Sequence, residues 1–148
     1  MIHGIRRINH VAISTPDLKR AVTFYRDVLG FEETERFAWE AGSESADLVT
    51  GLKDSAAQAV LLRLGEIDLE LFQYESPRPR SADGDRPVCD HGITHIALDV
   101  EGIDAVHQAL IAEGMRFHST PQPTGDGMRS AYGRDPDGNV IEIQEIFG

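Results

Sequence analysis

Gly92-Ile93-Thr94-His95-Ile96-Ala97-Leu98-Asp99-Val100 has a near copy in Ile8-Asn9-His10-Val11-Ala12-Ile13-Ser14, with Ile, His and Ala in matching places. The repeat predicts a chain of two related halves. In each copy the bulky residues alternate, Val11 and Ile13 in the first and Ile96, Leu98 and Val100 in the second, which is the signature of a strand with one buried face. Each histidine takes the other face. The small Ala12 or Ala97 two positions on leaves its imidazole open space rather than a packed neighbour.

Working outward from the first copy, Thr15-Pro16-Asp17 predicts a helix N-cap followed by proline at the first helical position, with Gly30 as the stop. Between them Leu18, Ala21, Val22, Tyr25, Val28 and Leu29 follow the i, i+3, i+4, i+7 rule and form a stripe that packs on the sheet. A strand is expected over 31–39, a loop with room for one helical turn over 41–55, and a hairpin of strands 59–64 and 67–74 turning at Gly65-Glu66. In its second strand Ile67, Leu69 and Leu71 share one face, leaving Asp68, Glu70 and Phe72 on the other.

Residues 76–90, rich in proline and charge, predict an exposed connector between a first module of about 5–75 and a second of about 91–148, the whole chain 1–148 being one domain. The second half repeats the order. A helix over 103–113 turns Ile103, Val106 and Leu110 inward and His107 outward, and ends at Gly114. Then come a strand at 115–119, a loop at 121–127, a strand at 128–134, the turn Asp135-Pro136-Asp137-Gly138-Asn139 and a last strand at 140–146. That strand sets Ile141 and Ile143 against Glu142 and Gln144. Each half therefore reads strand, helix, three strands, an α+β arrangement.

At 148 residues, 41% of them hydrophobic, the chain suits one folded soluble domain. It has no apolar run of membrane-spanning length, and its first residues lack the apolar core of a signal peptide, so the expectation is a cytoplasmic protein with no membrane partner. A formal net charge of −11 argues against nucleic acid, which requires clustered cations. The single cysteine, Cys89, has no partner for an internal disulfide and reads as a surface thiol.

His10, Glu70, His95 and Glu142 share one description, each standing on a central strand opposite the bulky aliphatics. A lone His or Glu on a strand is ordinarily solvated or hydrogen-bonded. Duplication is what singles these out. If the modules pack about a pseudo-twofold axis, two imidazoles and two carboxylates face one concavity, a donor set for one divalent ion such as Zn, Ni, Co, Fe or Mn with positions left for water. Smaller expectations attach to Arg63, Arg129 and Arg134, as carboxylate clamps or surface ion pairs. His91 reads as a solvated turn residue, His3 and His118 have no matched partner, and Phe72 could form a cavity wall on the Glu70 face.

The motifs Ile8-Asn9-His10-Val11-Ala12-Ile13, Ala21 to Leu29 with Gly30-Phe31, Asp68-Leu69-Glu70-Leu71, Thr94-His95-Ile96-Ala97-Leu98 and Asp135-Pro136-Asp137-Gly138-Asn139-Val140-Ile141-Glu142-Ile143 resemble the vicinal oxygen chelate superfamily. That superfamily includes glyoxalase I, methylmalonyl-CoA epimerase, extradiol dioxygenases, fosfomycin resistance enzymes and bleomycin-binding proteins. The resemblance implies two βαβββ modules forming an incomplete barrel around a metal, and its ligand positions fall on His10, Glu70, His95 and Glu142.

A full His, Glu, His, Glu set resembles the isomerases and lyases rather than the dioxygenases. It implies abstraction of a proton α to a carbonyl, with the enediolate stabilised on the metal. By the same resemblance Glu142 is the first candidate base and Glu70 the second, unless both are plain ligands and another group moves the proton. Ser14 and Tyr74 stand where bacterial glyoxalase I carries its glutathione-gripping Arg and Asn, which points away from glutathione. Glu40, Glu44 and Asp47, where an epimerase would place a further base, read as solvated loop charges. The implied substrate is a small molecule with vicinal oxygens or a thioester or 2-oxo group, and the implied state a homodimer. Two alternatives remain, an iron dioxygenase and a metal-free small-molecule binding protein of the resistance type.

Overall fold

The computed structural model describes residues 3–148, in two compact units, one ending at Ser81 and the other spanning Ala82–Gly148. Unit 1 begins with strand β1 (His10–Ser14), followed by helix α1 (Leu18–Val22), which continues as wider π-helical turns over Thr23–Val28. The cap differs from the expected one. Asp17, not Thr15, takes the N-cap, its carboxylate accepting from the Arg20 amide at 3.0 Å, so Pro16 lies outside the helix. The wider turn, in which the Leu29 amide reaches back to the Phe24 carbonyl at 3.1 Å, brings Phe24 into the buried stripe with Leu18, Ala21, Val22 and Tyr25. Gly30 ends the helix at φ +81°, as expected.

Strands β2 (Glu32–Trp39), β3 (Ala56–Leu64) and β4 (Ile67–Ser76) complete an open sheet in the order β1-β4-β3-β2. The segment expected as a loop over 41–55 holds a two-turn helix, α2 (Glu44–Thr50), with Gly51 in the left-handed conformation at its end. Its anchor is Asp47. That carboxylate accepts from the Asp54 and Ser55 amides, both at 2.8 Å, and from the Ser55 hydroxyl at 2.6 Å, so Asp47 braces the turn that follows the helix and is not a solvated charge. These hydrogen bonds, the Ser55 hydroxyl foremost, hold its carboxyl below the usual carboxylate range.

β1 and β4 run parallel with Ala12 beside Glu70, and Val11 and Ile13 beside Leu69 and Leu71. Alternation therefore sorts the sheet into two faces. Leu69, Leu71, Val60 and Leu62 are buried on one; His10, Glu70 and Phe72 stand on the other.

Unit 2 repeats the plan with β5 (His95–Asp99), α3 (Ile103–Ala112), β6 (Arg116–Phe117), β7 (Gln122–Gly125), β8 (Met128–Arg134) and β9 (Val140–Ile146). Its sheet is open, with order β5-β9-β8-β6 and β7 also pairing with β8. The expected loop over 121–127 thus contributes a fourth strand after the helix, because Gln122 and Pro123 find register with Ser130 and Arg129. Part of the expected connector folds here too. The Arg134 guanidinium donates to the Gly138 carbonyl at 2.7 Å and the Arg86 carbonyl at 2.8 Å, fastening residues around Arg86 to the 135–139 turn.

His107 corrects the reading of α3. It is 3% exposed, with its ring 4.4 Å from that of Phe117, so the helix turns Ile103, His107 and Leu110 inward while Val106 is only half-buried. The helical period was right and its phase was off, because Phe117 on β6 offers an aromatic surface that the helix sequence alone does not announce.

Glu145 caps α3 from a distant strand, its two oxygens accepting from the Gly102 and Ile103 amides at 2.7 and 3.1 Å. Those amides hold its carboxyl below the ordinary range. A group depressed in this way contributes stability that is present above its unfolded pKa of about 4.3 and lost as the pH falls through the folded value. Thermal melts from pH 7 down to pH 3 should therefore show Glu145→Gln less stable than wild type at pH 7, the gap closing as the wild type protonates. A gap that stays constant with pH would show that the cap is not ionic.

Candidate active site

In each unit the repeat brings one imidazole to one carboxylate. His10 Nε2 lies 3.3 Å from Glu70 Oε2, and His95 Nε2 lies 3.1 Å from Glu142 Oε2. The register explains the match, since Ala12 pairs with Glu70 and Ala97 with Glu142, each histidine standing one pleat back on the same face of the neighbouring strand. The alanines leave the gap across which the histidine reaches its partner. Both carboxylates are mostly covered while the imidazoles keep access to solvent, at 43% for His10 and 28% for His95.

A second matched device was not foreseen. Asn9 Oδ1 meets His10 Nδ1 at 3.0 Å, and Thr94 Oγ1 meets His95 Nδ1 at 2.8 Å. The signal was present in the repeat, which places a polar residue immediately before each histidine. An amide oxygen can only accept, so this contact calls for a proton on Nδ1 and leaves Nε2 as the ring atom facing the Glu70 carboxylate. A cation shared by Nε2 and the carboxylate, a proton or a metal ion, accounts for that separation.

The donor spacing passes the same test. Two atoms each about 2.1 Å from one ion lie about 3.0 Å apart at a right angle and about 3.4 Å apart at the tetrahedral angle. Both observed pairs fall in that interval. Nitrogen and oxygen donors with an outer partner on the free ring nitrogen are the chemistry of a divalent transition-metal site. Each unit alone presents two donors, and among the described residues no cluster of three or more His, Cys, Asp or Glu side chains is assembled.

The two carboxylates differ in surroundings. Burial pushes the Glu70 carboxyl above its ordinary range; the His10 charge opposes the shift and Glu35 adds to it. Tyr132, the cross-strand partner of Glu142, also sets its ring 4.9 Å from that of His95, and burial followed by the Glu142 charge raises its phenol. Tyr132 was missed in the sequence because nothing in β8 marks it apart from core packing.

The remaining candidates resolve into structural roles. Arg63 grips Asp68 through two hydrogen bonds at 2.6 and 3.0 Å, and Arg129 grips Asp104 at 2.7 and 2.9 Å, so both are ion pairs within their own units. Arg134 holds backbone carbonyls. His3, His91, His118 and Cys89 are exposed. Phe72 stands on the Glu70 face, its ring in contact with those of Phe37, Trp39 and Tyr74. No helix among the described residues is long and apolar enough to cross a membrane.

Comparison with known proteins places this geometry in context. The sequence profile of the Glyoxalase/Bleomycin resistance protein/Dioxygenase superfamily matches residues 7–143. A 2-epi-5-epi-valiolone epimerase from Actinomyces sp is 32% identical over 96% of this chain and 80% of its own length. The mitochondrial methylmalonyl-CoA epimerase of Mus musculus is 26% identical over 94% of this chain and 72% of its own. Among solved structures, a glyoxalase family protein from Bacillus cereus superposes with a TM-score of 0.89 at 24% identity, over 99% of this chain and 97% of that one.

Proposed function

Because the chain belongs to the Glyoxalase/Bleomycin resistance protein/Dioxygenase superfamily, we propose that it is a divalent-metal-dependent isomerase or lyase of the epimerase type, acting on a proton α to a carbonyl. The observation that carries this reading is the duplicated His–Glu contact at metal-donor spacing. In it His10, Glu70, His95 and Glu142 hold one ion, the four donors coming from one chain or from two copies of a cytoplasmic homodimer. When bound, the ion supplies positive charge that stabilises negative charge developing on the substrate oxygen and so lowers the barrier to losing the neighbouring proton.

The chain's own residues do the rest. Asn9 and Thr94 orient the imidazoles through Nδ1. Glu142 takes the α proton on a carboxylate oxygen from one face, and Glu70 as the second acid–base group delivers its own proton to the opposite face of the planar intermediate, which inverts the centre; solvent exchange then resets both carboxyls.

The epimerase relatives support proton chemistry without oxygen. Purified protein should carry bound divalent metal and exchange the α hydrogen of a 2-oxo or thioester substrate with solvent deuterium, without oxygen uptake. The first substrates to test are those of the two named epimerases. His95→Ala should reduce bound metal to well under one per subunit in a folded protein. Stoichiometric metal in that variant would place the site elsewhere, oxygen consumption would favour the dioxygenase reading, and ligand binding without metal or exchange would favour a resistance-type binding protein.

A further inference from the structure

On the Glu70 face of unit 1, four aromatic rings meet over two buried alanines. Cross-strand register places Phe37, Ala59 and Phe72 in one row and Trp39, Ala57 and Tyr74 in the next. The alanines are 0% and 2% exposed, small enough for rings from β2 and β4 to lean over β3 and touch. Phe72 and Tyr74 stack with centroids 5.7 Å apart, Trp39 sets its edge against both at 6.0 and 5.8 Å, and Phe37 packs edge-on to Phe72 at 6.2 Å. Their outer surface stays open: Phe37 is 36% exposed and the other three are half-buried.

Two observations separate this array from ordinary core packing. The duplicated scaffold does not require it, because unit 2 places Gln144 and Ser130 where Phe72 and Ala59 stand, counting each from its Glu. The array is also held in orientation. The Trp39 indole donates to the Ser55 hydroxyl at 3.0 Å, and that hydroxyl donates to Asp47 at 2.6 Å. Helix α2, which has no counterpart in unit 2, thereby fixes the indole plane.

From this we infer that Phe37, Trp39, Phe72 and Tyr74 form a binding platform for an uncharged planar or aryl group of the substrate, next to the reacting carbons. The platform adjoins Glu70, which precedes Phe72 by one pleat on the same face, and Glu35 stands one pleat before Phe37. Those carboxylates repel an anionic group and leave a neutral ring as the matching occupant. The substrate class is then a 2-oxo compound or thioester carrying an aryl or similarly flat apolar group within a few bonds of its carbonyl. This substrate class rests on the metal-site reading above; the platform does not.

The only tryptophan of the chain lies in the array, so its emission reports occupancy directly. The full-length protein is titrated with 3-phenylpropan-1-ol and with propan-1-ol, then with 4-phenyl-2-oxobutanoate and 2-oxobutanoate, following Trp39 emission and heat of binding. The phenyl member of each pair should shift the emission saturably, and 4-phenyl-2-oxobutanoate should bind at least about tenfold more tightly than 2-oxobutanoate. Phe72→Ala should erase that preference, weakening 4-phenyl-2-oxobutanoate at least about tenfold more than 2-oxobutanoate. Phe37→Leu, a change at a more exposed ring, should weaken the preference in a protein whose circular dichroism matches wild type, and decides the matter if Phe72→Ala does not fold.

Equal affinities within each pair, or a preference that survives both substitutions, would overturn the platform. If 3-phenylpropan-1-ol binds in a Phe72-dependent way while neither oxo acid binds better than its alcohol, the platform stands and the metal-site reading falls. If 2-oxobutanoate binds with metal and neither phenyl compound gains over its partner, the reverse holds.

Discussion

Glu142→Gln is expected to lower α-hydrogen exchange by about 10²- to 10⁴-fold, the range associated with removing a positioned general base. Glutamine keeps the shape of the side chain and one carbonyl oxygen that can still act as a donor, but it cannot accept a proton. Metal content measured on the same sample separates the two roles. Full metal with lost exchange assigns the proton transfer to Glu142, and lost metal with lost exchange makes the residue a ligand first. Glu70→Gln should show the smaller loss, since Glu70 is the second group in the sequence of proton transfers. If Glu142→Gln kept its metal and more than about a tenth of wild-type exchange, the base would be another residue, with Glu70 the next to test.

Gly138→Ala should be among the most destabilising single-methyl additions available to unit 2. Gly138 sits at φ +90°, a conformation that costs an alanine about 1–2 kcal/mol. A Cβ there would also run into the Gly84 backbone, including its carbonyl carbon at 2.6 Å. Backbone is not a flexible side-chain end that can swing aside. Relief would require moving residues near Gly84, which Arg134 fastens to the same turn by spanning the Gly138 and Arg86 carbonyls. A loss of at least about 3 kcal/mol is expected from strain and clash together, read as a lower urea midpoint by far-UV circular dichroism. Gly102→Ala is the control. It shares the positive φ, at +72°, but a Cβ there meets nothing within 4 Å, so only the conformational cost should appear. Equal losses in the two variants would show that the Gly84 contact adds nothing.

The same turn bears on the candidate site. Asp135 accepts from the Asp137 and Asn139 amides at 2.9 and 2.8 Å, and this turn leads directly into β9, the strand that carries Glu142. Distortion at Gly138 therefore propagates along β9 toward the carboxylate. Residual activity in Gly138→Ala should fall with its stability rather than independently of it.

Strand periodicity was legible without coordinates, because successive side chains point to opposite faces whatever lies beyond the sheet. From it came the placement of His10 and Glu70 opposite Leu69 and Leu71, the same arrangement for His95 and Glu142, and the turn signals at Gly30, Gly65 and Asp135–Asn139. The repeat itself was legible because both copies solve one problem, room for an imidazole beside a parallel neighbour, with one residue, alanine.

What the tertiary structure alone decided were matters set by partners distant in sequence. His107 is buried because β6 brings Phe117 against it. The 121–127 segment became a strand because β8 offered it unpaired backbone, and α2 exists because Asp47 finds Ser55 across a turn. The ring array over Ala57 and Ala59 likewise depends on the pairing of β2 with β3 and of β3 with β4. Local pattern determines which way a side chain points, whereas what it meets there depends on strand register, which is set only when the sheet closes its hydrogen bonds.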